Sequence, residues 1–129
     1  QYIARMTGAK VYNFSKGGMT AKEYLSQAYR LDQRINSNIE EISRLREMGF
    51  EIKVEPQGAF YIFADARKFT ADSYRFAFDV LEHAHVGITP GVDFGTGGEG
   101  YVRFSYANSL ENIKEGLDRI SRYLSRPGL

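Results

Sequence analysis

VGITPGVDFGTGGEGYVRFSYANS, residues Val86–Ser109, places one arginine in the middle of an otherwise apolar strand behind a glycine-rich loop. In YVRFSYA the strand period of two puts Tyr101 and Ser105 on the same face as Arg103. Because a guanidinium is always charged and presents a flat fork of donors, it matches a carboxylate with two parallel hydrogen bonds. Arg103 is therefore a candidate anion receptor. A structural ion pair or an exposed edge-strand arginine is the alternative.

Composition limits the classes of protein that the chain can represent. At 129 residues with 43% apolar and 14% aromatic content, it is sized for one globular domain. Seventeen basic and sixteen acidic residues nearly cancel, so charge favours neither nucleic acid nor a membrane as partner. The absence of cysteine excludes disulfides, thiolate metal sites and a cysteine nucleophile. No apolar run reaches the ~18 residues of a membrane span, and we expect a soluble, cytoplasmic protein.

Two segments precede the first predicted strand. Residues 1–18 form a weakly basic lead-in with the composition of a flexible segment. Residues 19–48 follow as a long amphipathic helix. Thr20 and Glu23 give the spacing of a capping box at its start, and Gly49 ends the pattern.

The long helix carries one apolar seam. From Tyr24 to Leu45 the seam residues step by four and three, with Asn38 as a polar interruption. Such a seam must be buried. It faces either the core of the chain or a second copy in a coiled coil, in which Asn38 would set the register.

Residues 49–129 predict an α+β arrangement. Phe50–Glu55 alternates as a half-buried strand, and a turn joins it to a second strand at Ala59–Ala64, which indicates a hairpin. A helix, a short strand at Val86–Thr89, the arginine strand and a helix capped by Ser109 follow. We predict a small, mostly antiparallel sheet with helices packed on it, preceded by the long amphipathic helix. The inward stripe of the middle helix is expected to be Tyr74, Ala77, Phe78, Leu81 and Ala84.

Two further patterns bear on possible chemistry. His83 and His85 are two residues apart and point to different sides of a helix, so no metal site is expected there. The run Gly95–Gly100 lacks the terminal Lys-Ser/Thr of a phosphate loop and precedes a strand. It is expected to be a flexible or tightly turning connection, which could also close over a ligand at Arg103.

Four motifs occur together in the second half of the chain: PQGAFYIF at Pro56–Phe63, LEHAHVGITPG at Leu81–Gly91, DFGTGGEGYVRFSYANS, and ENIKEGLDRISRYL at Glu111–Leu124. In this order and spacing, residues 49–124 resemble the C-terminal small domain of class I/II aminotransferases, the pyridoxal-phosphate enzymes of fold type I. The resemblance implies that Arg103 binds the α-carboxylate of an amino acid or 2-oxo acid, and that Phe94 lies near the substrate entrance. It also implies a homodimer.

The resemblance implies that this chain holds only part of an active site. The family needs a lysine that forms a Schiff base with pyridoxal phosphate, an acid at the pyridine nitrogen and a phosphate cup, all upstream of this domain. Lys16 follows a serine as the Schiff-base lysine does, but the family's Gly-x-Arg-x-Gly is absent and Lys16 lies too close to Arg103. We therefore predict no catalytic, cofactor-binding or metal-binding residue here. Pyridoxal phosphate belongs to the intact parent enzyme, and the chain alone is expected to be inactive.

The first part of the chain admits other interpretations. Residues 19–36 weakly resemble small helical proteins encoded by phages, which would make the chain a junction near Glu40–Arg46; a divergent family helix is the alternative. The alternative function is a non-catalytic interaction or scaffold domain that self-associates through the Tyr24–Leu45 seam. A nucleic-acid role is disfavoured, because the basic residues of the lead-in lack a binding fold around them.

Overall fold

A computed structural model of the protein describes residues 12–13, 36–56 and 60–127. Within these ranges the chain forms short strands and α-helices, which we label in chain order. They are β1 (Tyr12–Asn13), α1 (residues 36–42), α2 (Arg44–Met48), β2 (Tyr61–Asp65), α3 (Ser73–Ala84), β3 (Val86–Gly87), β4 (Thr89–Pro90), β5 (Tyr101–Ser105) and α4 (Leu110–Leu124). Two 3₁₀ turns, Gly91–Phe94 and Thr96–Gly98, connect β4 to β5. No helix in the described ranges is both long and apolar enough to cross a membrane.

The central sheet confirms the predicted α+β class. Its strand order is β2-β5-β4 with both pairings antiparallel, so the arginine strand β5 lies in the middle. Arg103 is paired with Phe63 on one side and with Thr89 on the other. The edge strand β4 ends in Pro90, which lacks the amide that a central strand would need.

The lead-in contributes a second, smaller pairing. Tyr12–Asn13 lies parallel to Val86–Gly87. These two residues are therefore paired with the domain, and the rest of the lead-in lies outside the described residues. Val86–Thr89, expected as one strand, divides at Ile88 into β3 and β4, which belong to different sheets.

The two faces of the central sheet differ in what covers them. Val102 and Phe104 of β5 and Ile62 and Ala64 of β2 are buried on one face. They belong to a core that includes, from the helices, Ile42, Leu45, Phe76, Val80, Ile113, Leu117 and Ile120. Arg103 and its neighbour Phe63 lie on the opposite face, where Phe63 is exposed.

The orientation of α3 differs from the prediction. Tyr74 and Phe78, expected inside, are 54% and 49% exposed and pack on each other with ring centroids 4.7 Å apart. Ala77 and Ala84 of the predicted stripe are buried, together with Phe76 and Val80. The buried face is therefore rotated from the predicted stripe toward Phe76 and Val80.

The predicted hairpin is reduced to a single bridge. Glu51 exchanges two backbone hydrogen bonds with Asp65, at 3.2 and 2.8 Å, and the segment diverges after that point. The alternation holds at Phe50 and Ile52, which are buried, and ends at Val54, which is 80% exposed. The expected strand Phe50–Glu55 therefore does not form.

The long helix ends where the sequence predicts, at Gly49, which adopts φ 111° and donates its N–H to the last turn. A turn at Ser43 separates α1 from α2, and the Ser43 hydroxyl donates to the carbonyl of Ile39 at 2.7 Å. Such a bond back to the preceding turn is typical of serine inside a helix.

The described half of the apolar seam packs inside the chain. Ile42 and Leu45 are fully buried. The Asn38 side-chain amide donates to the backbone carbonyls of Tyr106 at 3.0 Å and Asn108 at 2.9 Å. Asn38 therefore ties the helix to the end of β5 and is not available to set the register of a coiled coil. The seam residues from Tyr24 to Ile35 lie outside the described residues.

Candidate functional site

Arg103 is held between two aromatic rings. Its guanidinium carbon lies 4.2 Å from the ring centroid of Tyr61 and 4.7 Å from that of Phe94. Rings so placed attract the cation through their negatively charged faces and fix its orientation. Because the N–H donors of a guanidinium lie in its plane, a ligand reaches the group along its edge.

The structure brings both predicted site residues together. Phe94 ends the first 3₁₀ turn after β4, is 53% exposed, and meets Phe63 edge to face at 6.1 Å. Sequence reasoning missed Tyr61 and Phe63 as neighbours of Arg103. The alternation in FYIF is a signal for them, since it puts both rings on the face opposite Ile62.

An open groove of about 900 Å³ continues this surface. We call it the aromatic groove; it is lined by residues 53–56, Tyr61, Phe63, Gly97 and Tyr101. Phe63 and Tyr101 form one of its walls, with ring centroids 5.1 Å apart and planes inclined by 4°. The Lys53 Nζ lies 5.4 Å from the ring centroid of Tyr101, and the guanidinium carbon of Arg67 lies 5.3 Å from it.

A buried carboxylate is paired with both cations at the Tyr101 end. Asp65 accepts from Nε of Arg67 at 2.9 Å and from its backbone N–H at 3.0 Å, and lies 3.7 Å from Nζ of Lys53. The Arg67 hydrogen bonds lower the pKa of Asp65 to about 2. Lys53 Nζ also donates to the Tyr101 hydroxyl at 2.8 Å, which raises the pKa of Lys53.

The contribution of Asp65 to the stability of the protein is expected to depend on pH. A carboxyl whose pKa falls on folding stabilises the protein above its unfolded value of 3.8, and this contribution disappears as pH drops through about 2. Asp65→Asn is expected to reduce the free energy of unfolding by about 1–2 kcal/mol at pH 7, after allowance for the exposed partners. The loss of unfolding free energy caused by Asp65→Asn should become smaller as the pH falls from 4 to 2.

Urea unfolding at pH 7 and pH 2.5 measures this difference. Asp118→Asn is the matched control, because Asp118 is exposed and pairs with Arg44 at the surface. It should cost less than about 0.5 kcal/mol at either pH. An Asp65→Asn deficit that is the same at both pH values would contradict the proposed ionisation.

The glycine-rich loop is a tightly turned connection. A Cβ at Gly91 would lie 2.1 Å from the Gly98 carbonyl oxygen, and a Cβ at Gly98 would lie 2.1 Å from that of Gly91. The Glu99 carboxylate accepts from the backbone N–H groups of Ser73 at 2.6 Å and Gly100 at 2.8 Å, which lowers the pKa of Glu99. These contacts favour the tightly turning role over a flexible loop that closes on a ligand.

The described residues do not fit pyridoxal phosphate. Lys53, the lysine that lines the aromatic groove, is held protonated by Tyr101 and Asp65 and is therefore a poor nucleophile. Glu99 already occupies the Ser73 N–H at the start of α3, where a phosphate would otherwise bind. Lys16 lies outside the described residues.

His83 lies beside two acidic residues of its own helix. His83 shares one turn of α3 with Asp79 and Glu82, whose ligand atoms lie within 4.8 Å of one another, and His85 is not part of that group.

Comparisons with known proteins found relatives of one kind, although no family model matches. The chain is 41% identical over 103 residues to (5-formylfuran-3-yl)methyl phosphate transaminase of Methanocaldococcus jannaschii, covering 74% of this chain and 27% of that protein. It is 34% identical over 134 residues to an aspartate aminotransferase of Pyrococcus abyssi, covering 95% and 34%. The solved aromatic aminotransferase from Pyrococcus horikoshii OT3 superposes with a TM-score of 0.72 at 36% identity, over 79% of this chain and 27% of that one. The chain thus spans about a quarter to a third of these relatives.

Proposed function

We propose that this chain, which belongs to the fold type I aminotransferases as part of their C-terminal domain, supplies the substrate-binding arginine of an amino acid aminotransferase. Arg103 is that residue. The parent enzyme would use pyridoxal phosphate, exchange amino groups between amino acids and 2-oxo acids, and act as a cytoplasmic homodimer. The chain alone would lack the catalytic lysine and remain inactive.

The position of Arg103 between Tyr61 and Phe94 carries the proposal. Two rings within 5 Å of the guanidinium carbon restrict its motion before any ligand arrives, so less conformational entropy is lost when a carboxylate binds. A half-buried setting also strengthens hydrogen bonds between the fork and a carboxylate relative to water.

Each residue of the site then has a defined task. Arg103 binds both carboxylate oxygens and thereby fixes the orientation of the substrate α-carbon. Phe94, at the exposed end of the site, shields the ion pair from water. Pyridoxal phosphate, when bound elsewhere in the parent, supplies the electron sink that makes the α-proton acidic.

Segment replacement tests the proposal. Residues 49–124 would replace the corresponding segment of the Pyrococcus horikoshii aspartate aminotransferase, which is 44% identical over 84 residues. We expect the resulting enzyme to transaminate, because the replaced segment brings its own Arg103. The matched control leaves the host segment in place. A replaced enzyme that is folded and loaded with cofactor but turns over no amino acid would contradict the proposal.

A further inference from the structure

The aromatic row beside Arg103 bears on the class of substrate, and the inference rests on the proposed function. We propose that the substrate bound at Arg103 carries an aromatic or other large apolar side chain, which packs on Phe94 and on Phe63, where the aromatic groove begins. The row consists of Tyr61, Phe94, Phe63 and Tyr101, with Arg103 between the first two.

Distances place the row within reach of a ligand held by Arg103. The guanidinium carbon is 4.7 Å from the Phe94 centroid, which is 6.1 Å from the Phe63 centroid. In an amino acid the carboxylate and the side chain branch from the same carbon. A ring on that side chain therefore comes within the roughly 4.5–7 Å at which aromatic pairs interact.

The row is exposed where a ligand would lie. Phe63 and Phe94 are 41% and 53% exposed, although both are large apolar residues beside a charged group. Phe63 continues onto Tyr101 as a nearly flat wall, with an interplanar angle of 4°. Covering this wall with a ring would remove apolar surface of both partners from water.

The far end of the groove does not favour a second carboxylate. Lys53, which lines the groove, and Arg67, which lies against the Tyr101 ring, are both paired with Asp65. Glu55 lines the groove as a further acid and is itself paired with Arg46. A second carboxylate would have to compete with Asp65 for these cations and would lie near Glu55, so a dicarboxylic substrate gains less there than it would at an unpaired cation.

Binding of two carboxylates to the full chain tests the preference. The probes are 3-phenylpropanoate and succinate, followed by the backbone amide NMR signals of the chain. We expect 3-phenylpropanoate to bind roughly 5- to 10-fold more tightly, the range that one aromatic contact supports. Phe63→Ala and, separately, Phe94→Ala should remove this preference. Phe78→Ala, which removes an exposed ring on α3 outside the groove, should preserve it.

The possible outcomes separate this inference from the proposed function. Equal affinity of the two probes, or tighter binding of succinate, with both lost in Arg103→Leu, would overturn the aromatic preference alone. Binding that persists unchanged in Arg103→Leu, or no binding of either probe, would overturn the proposed role of Arg103 and the preference with it. A preference for 3-phenylpropanoate that survives in both Phe63→Ala and Phe94→Ala would also overturn the inference.

Discussion

Arg103→Leu in the segment-replacement enzyme is expected to lower kcat/KM by roughly 10²- to 10⁴-fold, chiefly through a higher KM. The variant removes two charge-assisted hydrogen bonds, each worth about 1.5–3 kcal/mol, and every 1.4 kcal/mol is a factor of about ten. The loss falls on KM to the extent that the carboxylate is bound equally well in the ground state and the transition state.

Arg103→Lys is expected to have a kcat/KM between those of the unsubstituted segment-replacement enzyme and its Arg103→Leu variant. Lysine keeps the charge but has no planar fork, so one of the two parallel hydrogen bonds is lost. Steady-state kinetics with one amino acid donor measures all three proteins. Arg75→Leu is the control, because Arg75 is an exposed arginine of α3. An unchanged KM in Arg103→Leu would show that another group binds the carboxylate.

Gly98→Ala is expected to lower the free energy of unfolding of the chain by about 3 kcal/mol or more. The added Cβ would lie 2.1 Å from the carbonyl oxygen of Gly91, and a backbone atom cannot rotate away as a side chain can. Gly91→Ala should behave similarly, because its Cβ would lie 2.1 Å from the Gly98 carbonyl oxygen.

The neighbouring Gly97 provides the matched control. A Cβ there has no atom within 4 Å, and Gly97 does not have a positive φ. Gly97→Ala should therefore change stability by less than about 0.5 kcal/mol. Urea unfolding of the three variants measures the difference. Equal stabilities of Gly97→Ala and Gly98→Ala would show that the two halves of the loop do not pack as described.

Local patterns predicted the elements that local physics determines. The period of two at Arg103 assigned the faces of β5, and the helix stop at Gly49 followed from its freedom to adopt positive φ. The capping serine at Ser109 accepts from the Asn112 N–H at 3.2 Å, as its position before an apolar stripe predicts. These features depend on neighbours within a few residues.

Features that depend on distant parts of the chain were missed. Tyr61 lies beside Arg103 only because β2 pairs with β5, across some forty residues of sequence. The rotation of α3, which exposes Tyr74 and Phe78, is selected by the surface on which the helix packs. Phe50–Glu55 has a valid strand pattern but loses its partner after Glu51. Periodicity alone does not specify these tertiary choices.

Residue patterns left open whether Arg103 binds a ligand or has a structural role. The resemblance of the four motifs to aminotransferases predicted that it binds a substrate carboxylate. Comparison with known aminotransferases confirms the family and the partial length, whereas the roles of Arg103 and Phe94 stay predictions. The structure adds two rings around the guanidinium and a groove beside it, neither of which the motifs specify.

A crystal structure of the segment-replacement enzyme with a bound 2-oxo acid tests the role of Arg103 most directly. The proposed function predicts both carboxylate oxygens at about 2.7–3.1 Å from guanidinium nitrogens of Arg103, with the group still between Tyr61 and Phe94. A carboxylate held by other residues, with Arg103 more than about 4 Å away and paired with a protein acid, would contradict it.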